Sequence, residues 1–441
     1  MTKERELEII ELIHNEVKPA LGCTEPIAVA LAVARSCEAL HEIGVNTENL
    51  SVEVSANILK NGMGVGIPGT GMIGLHIASA LGVTCGKSQF KLEVLKDLDE
   101  KSILEAKEMV LNKAVKISLA DTPVKLYIEA TAFGGTHKAT TIIKDNHDSI
   151  VSVVRDGKQL LLNVLENENF KDNESSSSNP THEKTTLDYK LTVKEILEFA
   201  QVAEFSDIKF ILDSVKLNKA LALEGLRGNY GLKVGKTIAS TVNRELFGTS
   251  ILIHAMASTA AASDARMAGC ILPAMSNSGS GNQGITVTMP VIAFAEKMSI
   301  EEEQLARALI LSHLIAIHIK GYLGKLSALC GCVIASTGSS CGIVYLKGGE
   351  YKQVCSAIKN MIGNITGMVC DGAKEGCALK VASGVSSAVQ AAILAIDNIC
   401  ISSNDGIIDE DIEKTIHNLG AIGSQGMQET DKMILNIMVC K

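Results

Sequence analysis

Four of the chain's 12 cysteines fall in two short segments: Cys330 and Cys332 in "SALCGCVIAS", Cys370 and Cys377 in "MVCDGAKEGC". Thiols spaced in this way can pack as core residues, pair, or ligate a metal. A straight helix over 370–377 would hold the two Cα atoms roughly 10 Å apart along its axis, too far for ligands of one compact centre. Asp371, Gly372 and Gly376 favour a turn instead, and a turn can direct both sulfurs to one point, with a third thiol from the 330 region. Three thiolates suit zinc or an iron–sulfur cluster and leave one metal position open. Buried free cysteines are the other reading of the same residues. A further candidate thiol is Cys23 in "LGCTEPIAVALAVA". Thr24 stands where an N-cap belongs and Pro26 in the first turn, so a helix is expected to begin there. Cys23 then lies at a positive helix end that favours the thiolate, while the adjacent Glu25 opposes it.

Two polar segments could meet a substrate. "KNGMGVGIPGTGMIG", residues 60–74, follows a strand pattern and precedes a helical one, so its backbone amides could face an anion. Its spacing fits neither the dinucleotide fingerprint nor the P-loop, which leaves a structural turn or a small-substrate loop. "MSNSGSGNQGITVTMP", residues 275–290, interrupts a helical region with hydroxyls, amides and free backbone N–H groups. An amino-acid carboxylate would suit such a nest; a solvent-exposed turn is the bland alternative.

The elements that must position these residues divide the chain in two. At 441 residues it exceeds one hydrophobic core, and two or three domains are expected. Residues 1–165 mix alternating strand patterns, "LSVEVSANI" and "KLYIEATAF", with the helical "DEKSILEAKEMVLNKA", which indicates an α/β domain. Apolar periodicity then vanishes over "ENENFKDNESSSSNPTHEKTT", so 166–188 is expected as a polar linker or mobile loop. Residues 189–441 carry long Ala-rich helical patterns and almost no strand alternation. The expected fold class is therefore α+β, an α/β domain followed by an all-α domain. Hydrophobic residues make up 46% of the chain, aromatic residues only 3%, and Trp is absent, so closely packed helices of small side chains are expected.

A formal charge of −9 argues against a nucleic-acid partner, which would require a basic surface. The opening "MTKERELEIIELIHNEV" reads as a charged amphipathic helix, not a secretory signal, and a cytoplasmic protein is expected. The longest apolar run, "ALILSHLIAIHI" at 308–319, spans 12 residues, short of the roughly 20 that cross a bilayer. It is expected as a buried core helix, with no membrane partner. In a reducing compartment the cysteines are expected to be free thiols or metal ligands.

Five segments in order, "ALGCTEPIAVALA", "NGMGVGIPGT", "SNSGSGNQGITVTMP", "ALCGCVIAS" and "VCDGAKEGC", make the chain resemble the L-cysteine desulfidase family, related to the catalytic α-chain of bacterial iron–sulfur L-serine dehydratases. The likeness runs over nearly the full length. The interval between the last two cysteines is shorter than in the dehydratases, which points to the desulfidase branch. The resemblance implies an oxygen-sensitive 4Fe–4S cluster held by Cys330, Cys370 and Cys377, one iron open for substrate, and no pyridoxal phosphate. Cys332 is the rival for the first ligand position. Cys23 is implied as the active-site thiol, and Asn61, Ser276, Asn277 and Asn282 as contacts to the substrate's carboxylate and amino groups. The implied reaction is α,β-elimination of L-cysteine with water to hydrogen sulfide, pyruvate and ammonia. Cys23 thiolate or another nearby base would take the Cα proton while an open iron acts as Lewis acid. An iron–sulfur L-serine dehydratase and a non-catalytic iron–sulfur sensor are the alternatives. The expected partner is a small amino-acid substrate, with a homodimer as the candidate assembly.

Overall fold

The structure is a computed structural model and describes residues 1–162, 186–324 and 327–440. Most of the expected linker, 166–185, lies outside the described residues; the chain re-enters as a short 3-10 turn, Thr186–Tyr189. The fold class is α+β, as expected, with a sheet-containing first half and a helical second half.

Eight strands are described: β1 (Pro19–Ala20), β2 (Asn49–Val54), β3 (Val115–Leu119), β4 (Tyr127–Gly134), β5 (His137–Lys144), β6 (Ile150–Arg155), β7 (Lys158–Leu162) and β8 (Ala274–Met275). Six form one sheet in the order β3-β2-β4-β5-β6-β7. Only β2 and β3 run parallel. Parallel neighbours need a long crossover, and the helices Ala56–Gly62, Leu75–Thr84 and Glu100–Leu111 occupy it. The strand expected in "LSVEVSANI" ends at Val54, and its last residues open the first of these helices. Along β4 burial alternates, with Ile128, Ala130 and Ala132 directed inward, as the period of two requires. They pack into one core with the helix Thr24–His41, whose Ser36 Oγ donates to the Ala130 carbonyl at 2.9 Å.

The second half is built on the helices Ile251–Met267, Gly281–Met298, Glu302–Leu323, Gly331–Leu346 and Cys377–Ile396. Fully buried Ala308, Ala316, Ala335 and Ala395 let these helices approach closely, as a core nearly free of aromatics demands. The 308–319 run lies inside Glu302–Leu323, entirely buried. Among the described residues one helix, Cys377–Ile396, is long and apolar enough by length and composition to cross a membrane, and 56% of its most apolar window is buried inside the protein.

The first half also contributes to the core of the second. The opening helix Lys3–Glu16 buries Ile9, Leu12 and Ile13 among Val193, Ile196 and Leu314 of the second half. Immediately after it, β1 pairs antiparallel with β8. The chain thus leaves the helical core at Ala20 and turns directly into the Cys23 segment.

Candidate active site

An isolated antiparallel bridge joins Leu329 to Val369. The Cys330 amide donates to the Met368 carbonyl at 3.0 Å and the Cys370 amide to the Ala328 carbonyl at 2.7 Å, which sets Cys330 and Cys370 side by side. Cys330 is the N-cap of Gly331–Leu346, and Cys377 opens Cys377–Ile396. Between Cys370 and Cys377 the chain turns, as the spacing required. Gly372 makes the turn possible: its φ is +89°, and a Cβ there would lie 2.2 Å from the Lys60 carbonyl oxygen. Asp371 pairs with both Lys374 and Lys380, and Lys380 Nζ also donates to the Val369 carbonyl at 2.8 Å.

The four thiols share one electrostatic neighbourhood. A hydrogen bond with Cys332 pulls the Cys330 thiol down to about 6 against its burial, with Lys380 and Lys320 assisting. The same bond, together with burial, drives Cys332 well above the ordinary thiol value. Burial raises Cys370, and the Cys330 charge raises it further. Burial pushes Cys377 up to about 11, with Cys330 and Cys370 acting in the same direction. Among the described residues no three His, Cys, Asp or Glu side chains form a group that could hold a metal ion as they stand. Two of the thiols are turned to backbone: Cys332 Sγ lies 3.2 Å from the Lys380 carbonyl and Cys377 Sγ 3.7 Å from that of Gly372. By donor chemistry the residues nevertheless suit a thiolate-ligated centre: Cys330 and Cys370 stand side by side on the bridge, and Lys320 is near enough to both to offset negative charge.

The first half closes this site from the other side. Cys23, not Thr24, is the N-cap of Thr24–His41, and no side chain caps that end. Thr24 Oγ1 instead donates to the Gly279 carbonyl at 2.9 Å. Glu25 receives Asn61 Nδ2 at 3.1 Å and Thr24 Oγ1 at 3.2 Å. Across from it, burial lowers the Lys320 ammonium, while Cys370, Cys330 and Glu25 pull it back up. Lys320 therefore feels both the thiols of the second half and a carboxylate of the first. Burial pushes the Cys23 thiol up to about 11; the Arg266 guanidinium opposes this and Glu25 adds to it. The helix end that was expected to favour the thiolate is outweighed by removal of the thiol from water.

The remaining expected contacts separate. Asn61 faces Glu25, and Asn282 Oδ1 receives Arg266 Nη1 at 3.5 Å. Ser276 Oγ donates to the Lys18 carbonyl at 2.6 Å. Fully buried Asn277 bonds His313 Nδ1 at 3.0 Å and accepts Gln283 Nε2 at 2.7 Å. Ser276 and Asn277 thus hold the turn in place with the groups that a substrate would use. Only 276–280 is turn; Ser280 caps Gly281–Met298, which continues helical through Pro290. The 60–74 segment begins in the helix Ala56–Gly62 and then packs on the end of Ile251–Met267, with the Gly66 amide bonded to the Met267 carbonyl at 2.9 Å.

Sequence reasoning missed Arg266 and Lys320. Their signal was a charged residue inside an Ala-rich or apolar helical run, "STAAASDARMAG" and "LILSHLIAIHIK", where burial of a charge needs a reason.

A family model described as "Serine dehydratase alpha chain" matches residues 89–436. A UPF0597 protein of Bacteroides fragilis is 51% identical over 442 residues, covering 100% of both chains. A UPF0597 protein of Oleidesulfovibrio alaskensis is 48% identical over 441 residues, again 100% of both, and one of Porphyromonas gingivalis is 44% identical over 442 residues with the same coverage. The family match spans the helical half, the Cys330 and Cys370 segments and Lys320, and the chain belongs to the serine dehydratase alpha chain family, a lyase family associated with iron–sulfur binding.

Proposed function

We propose that the protein is an iron–sulfur L-cysteine desulfidase that eliminates hydrogen sulfide from L-cysteine. The observation that carries the proposal is the convergence at Lys320: thiols of Cys330 and Cys370 from one half and Glu25 from the other act on the same ammonium. Cys330, Cys370 and Cys377 would hold a 4Fe–4S cluster that, when bound, supplies an open iron as Lewis acid for the departing sulfur. Cys330 is favoured over Cys332 because its charge is felt by both Cys370 and Cys377, whereas Cys332 is engaged with the Lys380 carbonyl and Met368.

The chain's own residues would move the proton. Cys23 takes it from Cα in the thiolate form, which Arg266 favours; Glu25, held by Asn61 and Thr24, is the rival acceptor. Loss of the Cα proton and rupture of Cβ–S give sulfide and aminoacrylate, which tautomerises to an imine and hydrolyses to pyruvate and ammonia. Lys320 offsets the negative charge that both departures leave. A second reading, L-serine dehydratase, is supported by the family match.

Protein purified without oxygen should contain iron and acid-labile sulfide and release sulfide and pyruvate from L-cysteine faster than pyruvate from L-serine. Preference for L-serine would favour the dehydratase; a cluster without turnover of either amino acid would reduce the protein to a sensor.

A further inference from the structure

Arg266 stands in the last turn of Ile251–Met267 and is 4% exposed. Its Nη2 donates to the Gly22 carbonyl at 2.9 Å and its Nη1 to Asn282 Oδ1 at 3.5 Å, and its buried Nε has no partner. Among the described residues it forms no ion pair. A buried charge without a counter-ion is costly, so a guanidinium held in this state calls for an anion.

The surroundings add to the demand. Cys23, the uncapped N-cap of Thr24–His41, lies beside the guanidinium. The N-terminus of Gly281–Met298 is directly against it: a Cβ on Gly281 would lie 2.2 Å from Arg266 Nε and 2.5 Å from Cζ. Only glycine lets the planar group lie on that helix start. Two helix N-termini of 18 residues each therefore add positive potential to a charge that is already unpaired. The fork of a guanidinium matches a carboxylate in two parallel hydrogen bonds.

We propose that Arg266 is the anchor for the α-carboxylate of the amino-acid substrate, with Asn282 holding the guanidinium in place. The assignment rests on the elimination proposed above. It sets the carboxylate at the Cys23 side of the site. Asn277 and Ser276, whose polar atoms are consumed within the fold, are then supports of the turn rather than the carboxylate's partners.

The test uses the anaerobic holoprotein and L-alanine, which carries the α-amino and α-carboxylate groups but no leaving group, against L-alaninamide. Calorimetry on the wild type should show L-alanine binding at least about 10-fold tighter than its amide, a fold-change in keeping with hydrogen bonds to a charged group. Arg266→Gln should weaken L-alanine binding roughly 10- to 100-fold and raise KM for L-cysteine more than it lowers kcat, with iron content unchanged. Arg266→Lys should recover part of the loss, because it keeps the charge and loses the fork. Gly281→Ala, which keeps the charge but crowds the guanidinium, should act in the direction of Arg266→Gln. Equal binding of acid and amide by the wild type overturns the proposal even where a variant fails to fold, and so does wild-type affinity in folded Arg266→Gln. Preference for the acid, lost in Arg266→Gln, in a protein that releases no sulfide supports the anchor and sinks the elimination.

Discussion

Cys330 and Cys23 occupy the same kind of position and are driven in opposite directions. Each is buried, each is the N-cap of a long helix, and neither receives a side-chain cap. Each has a cation nearby. Yet the Cys330 thiol falls to about 6 and the Cys23 thiol rises to about 11. The helix end is common to both, so it cannot decide the outcome. At Cys330 the neighbouring Cys332 thiol favours the charged form, and two lysines assist; polar and cationic neighbours stabilise a thiolate directly. At Cys23 the single guanidinium competes with burial and with Glu25, and burial wins. One region is thus prepared to hold thiolate charge, and the other to hold a proton.

The harshest way to break that contrast is to remove the thiolate region. Cys330→Ala, Cys370→Ala and Cys377→Ala should each abolish cluster absorbance and turnover, since two thiolates are too few to retain an iron–sulfur centre with an open iron. Cys341→Ala, inside the helix Gly331–Leu346, should leave both intact. Anaerobic absorption spectra decide it, and loss in Cys332→Ala with retention in Cys330→Ala would move the first ligand by two residues.

A smaller effect is expected at Cys23. Cys23→Ser should keep wild-type iron and sulfide content while turnover falls by about 10² to 10⁴-fold, the usual worth of a positioned base. Iron loss would make Cys23 a ligand; near-normal turnover would leave it a packing residue and hand the proton to Glu25.

The smallest expected effect sharpens the contrast by pH. Because the folded-state value of Cys23 lies near 11 and the ordinary one at 9.0, its thiolate fraction at neutral pH is ~100-fold below that of an ordinary thiol. Alkylation by iodoacetamide, followed at the Cys23 peptide by mass spectrometry, should climb about tenfold per pH unit through pH 10 without levelling. Arg266→Gln should slow it further, since the opposing cation is gone. A plateau at or below pH 9 would reverse the assignment.

Much of the scaffold was written locally. The period of "DEKSILEAKEMVLNKA" became the helix Glu100–Leu111, the alternation of "KLYIEATAF" became β4, and the 308–319 run became part of a buried helix. The helix start at "CTEP" was legible to within one residue, because Pro26 in a first turn is a local restraint. The crossing of the first helix into the second half's core, and the β1–β8 ladder between halves, were not: nothing local distinguishes one apolar face from another.

By itself, then, the sequence determined the residue types of a thiol-rich site, the need for a turn between Cys370 and Cys377, and the helix start beside Cys23. These depend on φ/ψ preference and spacing over a few residues. Tertiary structure alone decided that Lys320 comes near the thiols and Glu25 and Arg266 near Cys23, that Ser276 and Asn277 spend their polar groups on the turn, and that burial pushes the Cys23 thiol up while Cys332 and two lysines pull Cys330 down. Those outcomes depend on desolvation and on charges brought together from far along the chain, and both exist only once the chain has packed.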